Sequence, residues 1–304
     1  MARRSITDET GVMPELPEVT ALVADLGRLL IGRTIERLDL VSFSALKTFD
    51  PPVSALAGCA ITGVTRHGKF LDLVAGDDLH IVIHLARAGW IRRLAPGPLS
   101  PVKPSSRSPL AARLRLVPVD DETSGLDITE AGTKKSLALW VVRDPASIEG
   151  VARLGPDPLD SSFTVDVLAG ILAAQGRSQI KGVLRSQSII AGIGNAYSDE
   201  ILHAARMSPY KPASMTPEEA GRLYAAMQET LRGAVARAEG LAASELKHEK
   251  KTNLQVHGRA GELCPVCGDT VRQVRFADSS LEYCPTCQTG GKPLADRVLS
   301  RLLK

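Results

Sequence analysis

The segment IKGVLRSQSIIAGIGNAYSDEILHAARMSP, residues 180–209, contains two helical patterns joined by a glycine-rich turn. The turn, AGIGNAYSDE at 191–200, lacks the GxGxxG spacing and the preceding strand of a nucleotide-binding loop. It is typical of a tight turn that opens into a helix whose first backbone N–H groups can face a phosphate. Asn195 either adds a side-chain donor there or acts as a simple helix cap. Three residues of the following helix are expected to be structural: Tyr197, Asp199 and Glu200.

Other helical patterns surround this segment in the second half of the chain. The run TPEEAGRLYAAMQETLRGAVARAEG begins with a capping box, because Glu219 follows Thr216 by three residues. Pro217 takes the first helical position, where its missing N–H costs nothing. FTVDVLAGILAAQG, at 163–176, is also helical in pattern.

The first half has a different pattern. VTALVADLGRLLIG, at 19–32, predicts a helix that stops at Gly32. After it come short, β-branched apolar runs separated by turn residues, and this regular spacing predicts a β-sandwich or barrel. The chain is therefore expected to be an α+β multidomain protein with a boundary near residues 150–160.

Composition limits the class of protein. The 304 residues are 44% hydrophobic and 23% charged, which is typical of a globular protein with room for two domains. No run of about 18 apolar residues predicts a membrane span, and MARRSITDETG has no apolar core of a secretory signal. We expect a cytoplasmic protein. Residues 171–304 carry 18 Lys and Arg against 13 Asp and Glu, a modest basic bias compatible with a phosphate-rich partner.

Four cysteines form two CxxC pairs, Cys264 with Cys267 and Cys284 with Cys287, with sixteen residues between the pairs. This spacing suits a tetrahedral metal, because each pair supplies one edge and the intervening segment folds as a hairpin. Zinc is favoured over two disulfides in a reducing cytoplasm. Four thiolates leave no open coordination position, so one structural zinc ion per chain is expected.

Seven pieces of the chain, from Met13 onward, resemble in their order the bacterial formamidopyrimidine-DNA glycosylase / endonuclease VIII family. They are MPELPEV (13–19), RHGKFL (66–71), HLARAGW (84–90), LGPDPL (154–159), the opening segment (180–209), LQVHGRAGELCPVCG (254–268) and YCPTCQ (283–288). The resemblance implies a helix and β-sandwich over 13–150, a helix–two-turn–helix domain over 151–250 and a zinc-ribbon hairpin over 254–290. It also implies that DNA lies between them.

The resemblance further implies excision of an oxidised base, followed by strand cleavage at the sugar. Pro14 would be the amine nucleophile that attacks sugar C1′, and Glu15 the acid/base that helps to open the sugar ring. Glu18 would support that end of the site, and Lys69 would contact a phosphate near the lesion. The roles agree with general chemistry, since covalent catalysis divides one hard displacement into two easier steps.

A second group of residues would grip the DNA backbone. The resemblance gives Asn195 this role, and Lys181 and Arg259 are further expected contacts, which position the duplex without reading bases. The target carbon is hidden within a duplex, so the base must be flipped out. The expected partner is damaged or abasic DNA at the nucleoid, without a nucleotide cofactor.

Pro14 is not the first residue of this chain. Within a peptide bond, the nitrogen of proline is an amide without a usable lone pair. Either the chain starts at Met13, which is then removed, or the extension is real and the covalent chemistry is lost. We expect the first, with residues 1–12 disordered or not translated, because they have no apolar periodicity.

Two other departures affect expected DNA contacts. The family carries an arginine five residues before the third cysteine, and here that position is Ser279, whose hydroxyl has no charge. The family fills the gap left by a flipped base with a methionine, and Arg87 stands near the position of that methionine in this chain. Residues 291–304 lie beyond the position at which members of the family usually end. Their sequence pattern predicts a short amphipathic helix.

Two functions of different classes follow. The first is a monomeric, bifunctional DNA glycosylase and lyase of base excision repair, which Glu15, Lys69 and Asn195 favour. The second is a non-catalytic relative that binds damaged DNA, which the extension and Ser279 favour. A zinc-ribbon module for protein interaction would leave the residues of the catalytic end unexplained. We expect the first.

Overall fold

A computed structural model describes four stretches of the chain: 13–105, 107–132, 134–276 and 280–295. Three sequence predictions therefore lie wholly or mainly outside the described residues, namely the extension over 1–12, Ser279 and the tail helix over 291–304. The chain divides into two compact units. Among the described residues, no helix is long and apolar enough to cross a membrane.

The first unit contains Pro14, Val19–Ala152 and Gly240–Lys247. Its described residues form eight strands, which are β1 (Ile35–Leu40), β2 (Ile61–His67), β3 (Phe70–Ala75), β4 (Leu79–His84), β5 (Gly89–Arg93), β6 (Leu110–Leu116), β7 (Gly125–Glu130) and β8 (Ala138–Val142). They form two four-stranded antiparallel sheets, in the orders β1-β6-β7-β5 and β2-β3-β4-β8. The β-sandwich predicted from the sequence is confirmed.

Buried aliphatic side chains hold the second sheet in register. Leu71 of β3 faces Ile83 of β4, and Leu73 faces Ile81. All four are at most 1% exposed, so a shift by one residue would move them to the other face. Because the chain reverses at Gly68, whose φ of 54° suits glycine, the single sequence run over 60–75 becomes two strands.

The described chain begins with helix α1 (Leu16–Leu30). Its buried residues recur at helical spacing: Leu16, Val19, Leu22, Leu26 and Leu30. Gly32 follows with a φ of 86°, which confirms the predicted stop. A short helix, α2 (Glu149–Ala152), closes the main segment of the first unit.

The second unit contains Glu15–Glu18, Arg153–Glu239 and the described chain from His248 onward. Besides the first turn of α1, its described residues form the helices α3 (Val165–Gln175), α4 (Ile180–Arg185), α5 (Asn195–Ala204), α6 (Pro217–Ala238), α7 (Leu246–Asn253), which begins in the first unit, and α8 (Pro285–Thr289). Strands β9 (Arg272–Arg275) and β10 (Ser280–Tyr283) pair as an antiparallel hairpin. Helix α7 was not predicted from the sequence.

Helices α3 to α6 pack around one apolar core. Leu184, Ile201 and Leu223 are completely buried in it. The predicted capping box is present at the start of α6: Thr216 Oγ1 accepts the Glu219 N–H at 3.3 Å, and Glu219 Oε2 accepts the Thr216 N–H at 3.1 Å. This box and the core fix the helices that carry the site described below.

Candidate functional site

The glycine-rich turn between α4 and α5 is shaped by residues from the beginning of the chain. The Leu16 N–H donates to the carbonyl oxygen of Gly192 at 3.0 Å. A Cβ atom on Gly192 would lie 2.4 Å from Leu16 Cδ1, and one on Gly194 would lie 2.4 Å from the Glu15 carboxyl carbon. A side chain at either position would therefore displace Leu16 or Glu15, because both residues pass directly against the turn.

The carboxylate of Glu15 caps the N-terminus of α5. Its Oε2 accepts the N–H groups of Gly194 at 2.6 Å and Tyr197 at 3.3 Å, and its Oε1 accepts that of Ala196 at 3.0 Å. Glu15 is 2% exposed. The glycine-rich turn predicts that these N–H groups face a phosphate, but in the structure they donate to a carboxylate of the chain itself.

Glu18 lies one helical turn after Glu15 and is also buried. Its Oε1 accepts the Tyr197 hydroxyl at 2.6 Å, and its Oε2 accepts both the Lys250 ammonium and the Glu15 N–H at 2.8 Å. Burial raises the pKa of Glu18, while the Lys250 charge and these hydrogen bonds oppose the rise. Burial and the Glu18 charge raise the pKa of Tyr197, so its hydroxyl remains a donor.

Pro14 immediately precedes these two glutamates and is buried. The N–H that Glu18 accepts belongs to the peptide bond between Pro14 and Glu15, so this contact fixes that peptide plane. Met13 is joined to the Pro14 nitrogen. The structure therefore places three predicted site residues, Pro14, Glu15 and Glu18, at one end of α1.

Two other predicted residues, Lys69 and Arg87, lie in loops of the first unit: Lys69 in the hairpin turn of one sheet, and Arg87 in the connection from that sheet to the other. Lys69 follows Gly68 between β2 and β3 and is 9% exposed. Burial lowers the pKa of His84 to about 4, and the charge of Lys69 contributes, so this ring is neutral near pH 7. Arg87 lies between β4 and β5 after Ala86, whose φ is 52°, and its side chain is exposed. The DNA contacts assigned to both residues stay predictions.

Asn195 joins α5 to the zinc hairpin. Its Nδ2 donates to the carbonyl oxygen of Ser280 at 2.9 Å. Its buried Oδ1 has no hydrogen-bond partner among the described residues. The helix cap is Gly194 and not Asn195, so the simpler of the two sequence interpretations is wrong. The phosphate contact stays a prediction.

A buried charge cluster, which the sequence analysis missed, connects α4, α5 and the hairpin. Its members are the buried Lys181, Asp199 and Glu282 and the half-buried His257. The Lys181 ammonium donates to Asp199 Oδ1, to Ser198 Oγ at 3.0 Å and to the Asn195 carbonyl oxygen at 3.3 Å. Lys181 is 5% exposed and is paired with Asp199. The phosphate contact assigned to Lys181 stays a prediction.

His257 completes the buried charge cluster. Its Nδ1 donates to Asp199 Oδ2 at 2.8 Å and lies 2.9 Å from Glu282 Oε2. Burial disfavours the charged ring, but the two carboxylates prevail and raise the pKa of His257 to about 9. Ligand atoms of Asp199, His257 and Glu282 lie within 4.8 Å of one another. Since a lysine ammonium and the imidazole already compensate the carboxylates, we assign no metal there.

Arg259 lies in the loop between α7 and the first cysteine pair. Its Nε donates to Glu262 Oε2 at 2.8 Å, and one terminal nitrogen donates to the Leu254 carbonyl oxygen at 3.4 Å. The side chain is partly exposed, and its predicted DNA contact stays a prediction.

The four clustered cysteines form a candidate metal site. The Sγ atoms of Cys264, Cys267, Cys284 and Cys287 lie within 4.8 Å of one another, and none is in a disulfide. Two of the Sγ–Sγ distances are 3.9 and 3.3 Å. Four thiolates at about 2.3 Å from zinc would be separated by about 3.8 Å, so the donor set and its spacing fit zinc. The β9–β10 hairpin connects the pairs, as predicted.

A histidine of α5 contacts this metal site. His203 Nε2 lies 3.3 Å from Cys264 Sγ, and the residue is 5% exposed. Burial, together with the charge of Arg206, lowers the pKa of His203. A neutral ring with its proton on Nε2 can donate to a thiolate. This contact was not predicted from the sequence.

The fold and the site define a helix–two-turn–helix protein with a four-cysteine hairpin and two buried glutamates beside the second helix. Family models match three stretches. They are the formamidopyrimidine-DNA glycosylase N-terminal domain at 13–127, the H2TH domain of the same family at 154–245, and the zinc finger found in FPG and IleRS at 261–290.

Curated relatives agree with these matches. Formamidopyrimidine-DNA glycosylase of Symbiobacterium thermophilum is 33% identical over 285 residues, which cover 91% of this chain and 89% of the relative. An uncharacterized formamidopyrimidine-DNA glycosylase-like protein of Mycobacterium tuberculosis is 57% identical over 152 residues, or 50% of this chain and 94% of the relative. The chain belongs to the formamidopyrimidine-DNA glycosylase family.

Solved structures have the same fold. The MutM (Fpg) protein of Thermus thermophilus is 32% identical and superposes with a TM-score of 0.74, covering 92% of this chain and all of that one. Lactococcus lactis Fpg, in a complex with DNA that contains an abasic site, is 23% identical and has a TM-score of 0.77 over 90% of this chain and 99% of its own. At that identity the second likeness concerns the fold alone. The fold class and the family expected from the sequence are confirmed.

Proposed function

We propose that this protein is a DNA glycosylase of base excision repair that removes oxidised bases through a Schiff base on Pro14 and then acts as an AP lyase. The observation that carries the proposal is the arrangement of Glu15 and Glu18, both buried and fixed, directly after Pro14. Relatives named formamidopyrimidine-DNA glycosylase support this activity. The Lactococcus lactis Fpg structure, which has the same fold, contains DNA with an abasic site.

The proposed chemistry begins with an unacylated Pro14 nitrogen. The amine attacks sugar C1′, and the damaged base leaves with the bonding electron pair. The Glu15 carboxylate takes the proton that the proline nitrogen loses after it bonds to C1′. Glu15 then gives this proton to the ring oxygen as the C1′–O4′ bond breaks, which leaves an iminium ion between C1′ and the proline nitrogen. Loss of a C2′ proton then expels the 3′-phosphate and cuts the strand. Lys69 would contact a phosphate as a compact positive charge.

The proposal requires that the working chain begins at Pro14. The match to the family's N-terminal domain starts at Met13, which supports this beginning. A proline amine follows if Met13 is then removed. Intact mass of the purified protein tests this step: the proposal predicts a chain that begins at Pro14.

Zinc, when bound by the four cysteines, would hold the hairpin together without taking part in bond breaking. We also propose that one zinc ion serves each chain, and that the protein acts as a monomer at the nucleoid in the cytoplasm. Asn195 and Arg259 would contact the DNA backbone, and Arg87 would lie near the gap that the flipped base leaves. Ser279, which stands where the family has an arginine, would offer a hydroxyl to the phosphate in place of a positive charge. Because several phosphates are neutralised, affinity for duplex DNA should fall steeply with salt.

Borohydride reduction with an abasic-site duplex tests the activity. The protein that begins at Pro14 is expected to form a covalent adduct, and Pro14→Gly and Glu15→Gln are expected to lose it. Glu36→Gln, an exposed glutamate on β1, is the matched control and should trap DNA at the wild-type rate. No adduct from a protein that begins at Pro14 would reject the enzyme.

The alternative is a non-catalytic protein that binds damaged DNA. The sequence observation that favours it is the peptide bond between Met13 and Pro14, which makes the proline nitrogen an amide. A purified chain that retains residues 1–13, binds abasic DNA and never forms an adduct would establish this alternative.

A further inference from the structure

Lys250, on α7, is a completely buried lysine that no predicted role explains. Its side chain is 0% exposed, although α7 is otherwise a polar helix with the sequence LKHEKKTN. Lysine is almost never fully buried unless its charge is paired. The neighbouring Lys251 on the same helix is exposed, which is the ordinary position for this residue type.

The ammonium of Lys250 lies among the side chains proposed to act at Pro14. Its Nζ donates to Glu18 Oε2 at 2.8 Å and lies 3.8 Å from Glu15 Oε1. It also lies 4.6 Å from the centre of the Tyr197 ring, in cation–π geometry. One cation therefore contacts both buried carboxylates and the aromatic ring that contacts Glu18.

The oxygen that Lys250 binds is the one that holds the peptide after Pro14. Glu18 Oε2 accepts the Glu15 N–H at 2.8 Å as well as the Lys250 ammonium. The other oxygen, Oε1, accepts the Tyr197 hydroxyl. Lys250 therefore contacts the Glu18 carboxylate, and this carboxylate contacts the N–H of the peptide bond that follows Pro14. Pro14 is the residue that would carry the amine.

The positive charge of Lys250 compensates buried negative charge. Two carboxylates, Glu15 and Glu18, are buried within one turn of α1, and desolvating each while it is ionised is strongly unfavourable. The titratable and charged groups that face Glu18 are Glu15 on its own segment, Tyr197 on α5 and Lys250 on α7, with Glu249 acting on Tyr197 from further away. Among these groups, Lys250 supplies the positive charge.

We propose that Lys250 is a positioning residue of the reaction: it keeps Glu18 ionised and oriented, and through Glu18 it sets the Pro14–Glu15 peptide in its working geometry. The inference rests on the function proposed above. Lys250 itself touches neither sugar nor base in this account. Its loss should therefore reduce the rate of the covalent step more than the affinity for DNA.

The test compares three single variants in protein that begins at Pro14. Lys250→Met keeps length and removes the charge, Lys250→Arg keeps the charge, and Lys251→Met is the exposed control on the same helix. The readouts are the rate of borohydride trapping at saturating abasic duplex, the Kd for that duplex under matched salt, and the pH dependence of the rate.

Lys250→Met is expected to trap about 100-fold more slowly, the scale of a misplaced reacting group, with a Kd within about threefold of wild type. The acidic limb of its pH profile should move to higher pH, because the Lys250 charge lowers the pKa of Glu18 and its removal lets that pKa rise. Lys250→Arg should recover part of the rate. Lys251→Met should behave as wild type.

Wild-type trapping by a folded Lys250→Met would overturn the inference, as would equal losses in rate and affinity. If Lys250→Met does not fold, the double variant Glu18→Gln/Lys250→Met decides, because it removes the Glu18 charge together with the cation that binds it. A folded double variant that traps slowly supports the inference, and one that traps at the wild-type rate overturns it. Failure of the wild-type protein to form any adduct instead overturns the proposed function.

Discussion

His203 Nε2 on α5 lies 3.3 Å from the Sγ of Cys264, so one helix of the second unit contacts the candidate zinc site directly. A buried N–H donor stabilises a metal-bound thiolate, and loss of such an outer contact typically costs about 10–100-fold in metal affinity. We expect His203→Phe to release zinc to a chromophoric chelator about 10-fold faster than wild type. His248→Phe changes an exposed ring and should release zinc at the wild-type rate. Equal release by both variants would contradict this contact's role.

Removal of zinc should disable DNA binding. The four cysteines bring together the segments on either side of the β9–β10 hairpin, and metal-free thiols cannot hold them. A strong chelator is therefore expected to abolish binding of abasic duplex, and added zinc to restore it, as measured by fluorescence anisotropy with metal analysis of each sample. Full binding or trapping activity in verified zinc-free protein would contradict a structural role.

The buried charge cluster predicts how stability depends on pH. The pKa of His257 is raised from 6.5 to about 9, despite burial, by Asp199 and Glu282. A raised pKa in the folded state stabilises the protein fully below pH 6.5, and this contribution is lost as the pH rises through about 9. With zinc saturating, the unfolding free energy should fall by up to about 3 kcal/mol over that window.

His257→Gln isolates this contribution, because it keeps a hydrogen-bonding side chain and removes the charge. Chemical unfolding at about pH 6.5 and about pH 9 should show a much smaller fall for the variant than for wild type. His248→Gln, on an exposed position, should show the wild-type fall. The same fall in all three proteins would mean that another group controls the slope.

Gly194 predicts a steric test of the Glu15 position. A methyl group at this residue would lie 2.4 Å from the Glu15 carboxyl carbon, so Gly194→Ala must displace Glu15 or the start of α5. We expect a loss of stability of about 1–3 kcal/mol and trapping at least about 100-fold slower. Gly170→Ala in α3 meets no atom within 4 Å, and should be neutral or slightly stabilising. A folded Gly194→Ala protein with wild-type trapping would contradict the assigned role of Glu15.

Features with a local pattern could be predicted from the sequence. The spacing of the four cysteines from Cys264 to Cys287 predicted the metal site and its hairpin. The pair Thr216 and Glu219 predicted the start of α6. Each of these features depends on residues that are close together in the chain. The strands followed from runs of β-branched residues.

Features that depend on distant residues could not be predicted in this way. Lys250 and Glu18 are 232 positions apart, and LKHEKKTN has the composition of an exposed segment, so neither α7 nor its buried lysine gave a signal. The start of α5 attracts an anion, as the sequence indicated, but the anion is Glu15, 181 positions before Ala196. The ion pair of Lys181 with Asp199 joins residues 18 positions apart, and no local pattern indicates it.

The most direct measurement of the central claim is peptide mapping, by mass spectrometry, of the borohydride-reduced adduct with abasic DNA. The account predicts a deoxyribose fragment on the nitrogen of Pro14, in a peptide that begins at that residue. A fragment on a lysine side chain, or strand cleavage by a chain that still carries residues 1–13, would contradict it.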